Sequence, residues 1–309
     1  MRYIQNRIAE SRNTLPVTAT LILGLWLAGL WIRQWEPIGW QFPIVALSTL
    51  MMVIVNNENS LIRVYSRMVS CSFLIFTTLI IFDTLTLRGA MCQFLSILFV
   101  FLIFRCYQDR QSTGYTFYAF ICLSLISMLY IRILFIVPFL WIMMASLIMN
   151  ANIKTYAASI FGLLTPYWFV AAIAFYRQDA TLFTGFFNDF IPSAIADFSS
   201  VTTNELVYAA VLVLLGLIGS IHFIRYSYRD KIRVRLLYYF FIYIQLFLLV
   251  MLVLFPGDRA ILLPLLTVSV SPLIAHIATL TSSRLSNILF LVSSISIFFF
   301  LIVNTCRLS

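Results

Sequence analysis

The sequence predicts an all-α fold, a polytopic transmembrane helical bundle of about eleven spans with its N-terminus inside. Three observations predict it. The chain of 309 residues is 62% hydrophobic and only 10% charged, against about 25% charged in a soluble domain, and its mean hydropathy is +1.00. That apolar surface is too large for one water-soluble core, so lipid must solvate most of it. The apolar residues also fall into runs close to the ~20 residues a helix needs to cross a bilayer. Finally, Arg225–Arg235, RYSYRDKIRVR, packs five basic residues and one acid between two such runs. Lys and Arg beside spans resist translocation, so this loop belongs in the cytoplasm and orients every other segment.

The runs are 15–32, 40–55, 66–82, 89–104, 114–131, 132–149, 154–176, 205–224, 235–255, 260–280 and 285–304. The first follows Arg2, Arg7 and Arg12 and resembles a signal peptide in its flanks. It is a full span long and no A-x-A-like site follows, so it reads as an uncleaved first helix. Within it Gly24 and Ala28 form a small-xxx-small pair suited to seating a neighbouring helix. Runs 40–55 and 89–104 are short for a span and would tilt little, recruit interfacial residues or re-enter. Residues 114–149 are too long for one helix, so the sequence predicts a tight hairpin with Arg132 at the surface. Run 154–176 contains Pro166, expected to bend it, and Tyr167–Trp168, expected to settle towards the outer interface. The stretch SSVTTNEL reads as a helix start with Thr203 or Asn204 as cap. The tenth run contains Pro264, Pro272 and His276.

With the hairpin kept, fourteen of the 20 basic residues fall inside and Arg33, Arg88, Arg132, Arg177, Arg259 and Arg307 fall outside. Without it, Arg225–Arg235 would face outward, against the positive-inside rule. The acids lean the other way, with Glu36, Asp83, Asp179, Asp189, Asp197, Glu205 and Asp258 outside. No polar stretch is long enough to fold separately, so residues 1–309 read as a single integral membrane domain. The one long connection, 177–204, is external. It alternates Phe with polar residues, as in GFFNDFIP, and reads either as an interfacial shield or as the rim of an outward cavity.

Several function classes are excluded. The net charge of +9 is carried by short loops rather than by a basic face interleaved with aromatics, so no nucleic-acid partner is expected. The five cysteines form no CxxC or Cys/His cluster, so neither a disulfide framework nor a metal site is expected, and no cofactor motif is present. His222 sits at the cytoplasmic end of a span, and His276 reads as a buried, hydrogen-bonded histidine. No ionisable residue falls at mid-membrane, which weighs against an ion-coupled transporter.

The outward charges remain. Asp83, Asp189 and Asp197 are the candidate catalytic carboxylates, as general base. Arg88, Arg132 and Arg177 are the candidate substrate-binding residues, since a guanidinium suits a phosphate. Enzymes acting on polyprenyl-phosphate-linked sugars need both groups at the outer membrane face, whereas ordinary loop charges would share that face without converging. The expectation is therefore a cell inner-membrane protein of envelope glycan or lipid metabolism, a glycosyltransferase- or polymerase-like enzyme whose partners are the bilayer and a lipid-linked substrate. The alternatives are a transporter or flippase, which needs a polar path through the midplane, and a non-catalytic accessory subunit of an envelope complex, which needs neither.

The stretch NIKTYAASIFGLLTPYWFV from Asn152, after RILFIVPFLWIMM, resembles an uncharacterised family of multi-spanning inner-membrane proteins from Bacteroidota. The stretch LLPLLTVSVSPLIAHIATLTSSRLSNILFLV, Leu262–Val292, is similar to the C-terminal part of that family. The likeness covers about a quarter of the chain, with Gly162, Pro166, Tyr167 and Trp168 its most distinctive residues. It implies location and fold, and no activity or catalytic residue.

Overall fold

The computed structural model describes residues 4–32, 37–81, 84–179, 181–185, 190, 198, 201–282, 284, 286–288, 290 and 291. All regular structure there is helical. The helices are α1 (Ile4–Glu10), α2 (Thr14–Ile32), α3 (Gln41–Asn59), α4 (Met68–Ile81), α5 (Leu87–Arg105), α6 (Thr113–Leu129), α7 (Val137–Met143), α8 (Ile153–Arg177), α9 (Thr181–Thr184), α10 (Thr203–Tyr226), α11 (Ile232–Leu254) and α12 (Arg259–Leu280). Seven segments are long and apolar enough to cross a membrane. They lie in α2, α5, Ile131–Ile148, α8, α10, α11 and α12, and two shorter apolar helices, α4 and α6, accompany them. The chain is a multi-pass membrane protein. The predicted run 285–304 lies almost entirely outside the described residues.

Local chemistry sets the boundaries. The Thr86 hydroxyl accepts from Gly89 N at 3.1 Å and starts α5. A capping box starts α10, in which Thr202 N donates to Glu205 Oε2 at 2.9 Å and Glu205 N donates to the Thr202 hydroxyl. The cap is thus Thr202 rather than Thr203 or Asn204, because only that register puts Glu205 at the third helical position, where it closes the box. The two short runs extend into 19-residue helices, α3 and α5. In α3 the added length is polar and buried at Asn56 and Asn59.

The hairpin predicted within 114–149 is present. Tyr130, at φ −150° and ψ 89°, ends α6. The returning segment Ile131–Ile148 begins as a 3-10 helix, continues as α7 and closes in a π-helical turn. It runs back alongside α6, since Gln108 N donates to Ile148 O at 2.8 Å and Asn150 Nδ2 donates to Thr116 Oγ1 at 3.3 Å. Arg132 sits at the turn of the hairpin and is partly exposed. Only 15% of its side chain is exposed, because it is drawn against Asp258.

Helix α12 is the centre of the bundle. Of its spanning segment, 78% is buried, against 28% for α2 and for α8. It packs on α1, α4, α5, α10 and α11, while α3 lies on α4 and α5, α2 on α4, α6 on α5, and α8 on α6. Small residues make two of these contacts possible. A Cβ at Gly162 would stand 2.6 Å from Phe117 O across the α6–α8 contact, and one at Gly219 would stand 2.9 Å from the Leu273 side chain. The expected contact at Gly24 and Ala28 is not made: both are exposed, and a Cβ at Gly24 meets open space. Near Pro166, Tyr167 does not turn towards an interface. It is buried, with its hydroxyl 2.7 Å from Ser127 Oγ, while Trp168 remains exposed.

These two glycines provide a test. Gly162→Ala should destabilise the detergent-solubilised protein by about 1–3 kcal/mol through overpacking. Gly24→Ala, in open space, should be neutral or slightly stabilising, as helix propensity favours Ala. Thermal unfolding of the two variants reads the difference, and equal Tm values would contradict the packing described.

Candidate functional site

The polar residues of the loops gather at two opposite ends of the bundle. At one end Arg63, Arg105, Asp230 and Arg233 are cross-linked. Arg105 holds Glu58 in a bidentate pair at 2.9–3.1 Å, and Arg233 donates to Asn59 Oδ1 at 3.1 Å. At the other end lie Arg88, Arg132, Asp258 and Arg259. Among the described residues, Arg63 thus lies at one end with Asp230 and Arg233, and Arg88 and Arg132 lie at the other with Asp258.

The second end holds a cavity of about 720 Å³. Arg88, in the first turn of α5, lines it with Tyr130 and Arg132 from the hairpin, Asp258 from the connection into α12, and Thr181 and Gly185 from the long loop. Arg132 forms an ion pair with Asp258, and its guanidinium lies over the Phe255 ring at 5.0 Å. Beside it Arg259 Nε lies 2.8 Å from Glu205 Oε2, which links α12 to the start of α10. Arg88 is exposed and forms no ion pair or hydrogen bond among the described residues. The Tyr130 hydroxyl is buried beside the Asp258 carboxylate and the Arg132 guanidinium. Burial pushes its pKa well up, and the Asp258 charge adds to the shift, so it remains a protonated donor.

The structure therefore joins two of the three predicted substrate-binding residues, Arg88 and Arg132. Arg177 is exposed in the last turn of α8 and does not line the cavity. Its neighbour Asp179 hydrogen-bonds the hydroxyl and amide of Thr181, which hold its carboxyl below the usual range. Asp83, Asp189 and Asp197 lie outside the described residues. Phe190 touches Phe135 with ring centroids 5.0 Å apart, and Phe198 is exposed. Sequence reasoning did not single out Tyr130. Its only signal is its place at the break between two apolar runs.

At the opposite end a buried ionic group appears. His276 Nε2 lies 2.9 Å from Asp230 Oδ2, and Arg63 Nε lies 3.1 Å from Asp230 Oδ1. Facing a carboxylate, Nε2 carries the proton, and Nδ1 is left without a partner. The ring is enclosed by Phe223 at 5.0 Å and Tyr238 at 5.2 Å. In mid-bundle, Gln93 Nε2 donates to Thr77 at 2.9 Å and to Thr267 at 2.7 Å, tying α5 to α4 and α12. Gln245, fully buried against Gly216, has no partner for either amide atom. No group of three or more metal-ligating side chains occurs among the described residues.

Comparison of the chain with protein-family models, with curated proteins and with solved structures finds no match.

Asp230 and Arg63 should differ in weight. The Asp230 and His276 side chains are 1% and 2% exposed, whereas Arg63 is 43% exposed. Asp230→Ala leaves a buried imidazole N–H without its acceptor and should cost about 1–3 kcal/mol. Arg63→Gln removes a solvent-screened partner and should cost under about 1 kcal/mol. Denaturant unfolding in micelles measures both, and a larger loss for Arg63→Gln would reverse the assignment.

Proposed function

We propose that this chain is a cell inner-membrane protein of about eleven spans, with the Arg63 end in the cytoplasm and the Arg88–Arg132 cavity at the outer face. We further propose that it acts in envelope glycan or lipid metabolism on a polyprenyl-phosphate-linked substrate, as a transferase or polymerase. One observation carries this reading. Arg88 and Arg132, 44 positions apart in the numbering, line one cavity with a protonated tyrosine and a carboxylate. Arg88 offers a planar guanidinium for a phosphate oxygen pair. Tyr130 donates to the same group or to a leaving oxygen. Asp258, steered by Arg132, is the carboxylate in place for a general base, and Asp83, Asp189 and Asp197 remain further candidates on the same side. Thr181 and Gly185 support a rim role for the loop 177–204. The resemblance to an inner-membrane family of Bacteroidota agrees with this location.

A carrier or flippase without covalent chemistry is the second reading. Gln245 favours it, since an unpartnered amide in the middle of α11 is an expensive feature in a membrane interior. The cavity beside α11 in mid-bundle weighs against it, being lined almost wholly by apolar side chains such as Phe99, Leu123, Phe241 and Leu248.

Two measurements test the proposal. Reporter fusions after Arg110, Lys154 and Lys231 should give cytoplasmic signals and a fusion after Asp189 an external one; a cytoplasmic signal at Asp189 overturns the topology. Polyprenyl phosphate added to the purified protein in detergent should bind, and Arg88→Gln should weaken binding about tenfold or more, since a hydrogen bond to a charged group is worth about 1.5–3 kcal/mol. Arg177→Gln should leave it unchanged. Equal binding by wild type and Arg88→Gln would remove the substrate assignment.

A further inference from the structure

The Arg63 end carries a second cavity, of about 610 Å³, between the α3–α4 connection and the α10–α11 connection. Its wall contains three cations, Arg63, Arg229 and Lys231, together with the hydrogen-bonding side chains of Asn57, Ser60 and Ser66. One carboxylate, Asp230, stands against these cations, and it is turned inward to His276. The charge presented to the cavity is therefore positive.

The cations differ in how they are held. Arg63 is fixed: its Nε meets Asp230 and its terminal nitrogen donates to Arg229 O at 3.3 Å. A charge fixed before a ligand arrives costs little ordering on binding. Arg229 and Lys231 are exposed, and Lys231 stands at the N-cap of α11, a 23-residue helix whose first turn no side chain caps. Lys231 and Val234 of this turn both face the cavity. Amides at a helix N-terminus and the positive end of its dipole favour an anion. Two independent features, a cavity walled by cations and an uncapped helix start, thus converge on one volume. Exposed Tyr65, Tyr228 and Ile232 flank it, the amphipathic rim of a membrane–water boundary.

We infer that this cavity binds a phosphate-bearing anion, with the headgroup of an anionic phospholipid as its source. Arg63 and the α11 amides take the phosphate, Arg229 and Lys231 close over it, and the acyl chains leave past Tyr65 and Ile232 into the bilayer. The site is separate from the Arg88–Arg132 cavity and does not depend on the function proposed for that cavity.

The test uses the full chain in a neutral detergent, with Tm followed as short-chain phosphatidylglycerol, short-chain phosphatidylcholine or inorganic phosphate is added. A ligand that binds only the folded state raises Tm with saturation. Phosphatidylglycerol should do so, with an apparent Kd raised at least tenfold in R229Q/K231Q. Both side chains are exposed, the Arg229 contact to Arg63 is through its backbone, and among the described residues its side chain touches only the exposed Tyr226 and Tyr228, so this variant keeps the fold. R110Q/K154Q, which removes two cations from the same end outside the cavity, should bind as wild type. Saturation by inorganic phosphate at equal affinity with the same variant pattern would overturn the lipid as source and retain the anion site. No saturable shift, equal loss in R229Q/K231Q and R110Q/K154Q, or no loss in R229Q/K231Q would overturn the site itself.

Discussion

A bilayer interior supplies no water, so each backbone amide and carbonyl within it must find a partner in the protein. Helix α12 is where this constraint presses hardest. It is the most buried of the seven spanning segments, and it contains two prolines, each of which removes the donor for a carbonyl four residues back. Pro264 deprives Ala260 O, and Pro272 deprives Val268 O. The neighbours are shaped to these faults. Gly89 brings α5 so close that a Cβ there would lie 2.3 Å from Ala260 O. Ser271 Oγ reaches Val268 O at 3.5 Å, while Ser72 and Tyr238 donate to the carbonyls of Ser271 and Pro272. Helix α12 would be a poor helix alone in lipid and needs α4, α5 and α11 around it.

That dependence explains why both polar ends are organised around the same element. Asp258 and Arg259 stand at the head of α12 and engage Arg132 and Glu205. His276, near its tail, engages Asp230. The two ionic groups differ in surroundings. The tail pair is sealed from solvent and its worth lies in not being broken. The head pair borders a cavity, where Arg132 is braced by a ring on one side and Asp258 on the other.

Much of this fold was legible in the sequence, because apolar run length and loop charge act locally and independently of packing. The hairpin at Tyr130, the long helices and the grouping of Arg63 with the Arg225–Arg235 loop all follow from such signals. The cap of α10 was legible to within one or two residues, the difference being whether Glu205 reaches back. What was not legible is whatever depends on which faces meet. Gly24 and Gly162 look alike in the chain, yet one faces open space and the other lies against Phe117. The Arg132–Asp258 and Asp230–His276 pairs join residues 126 and 46 positions apart, and no periodicity announces them. Of the candidate site, Arg88 and Arg132 share a cavity, whereas Arg177, assigned to the same side, does not line it, and Asp83, Asp189 and Asp197 lie outside the described residues.

The position of α8 has one more consequence. It is seated on α6 and touches α7 through Trp141, whose Nε1 donates to Ser159 Oγ at 3.0 Å, and little of its surface is covered elsewhere. Its far end leads directly to Thr181 and Gly185, which form part of the cavity wall. That part of the wall is therefore carried by one of the two least buried spanning segments. Thr181 and Gly185 thus reach the cavity from the end of α8, whereas Arg88, Arg132 and Asp258 reach it from α5, the hairpin and the head of α12. The cavity is walled partly from α5 and the head of α12, at the centre of the bundle, and partly from the end of α8, which packs on α6.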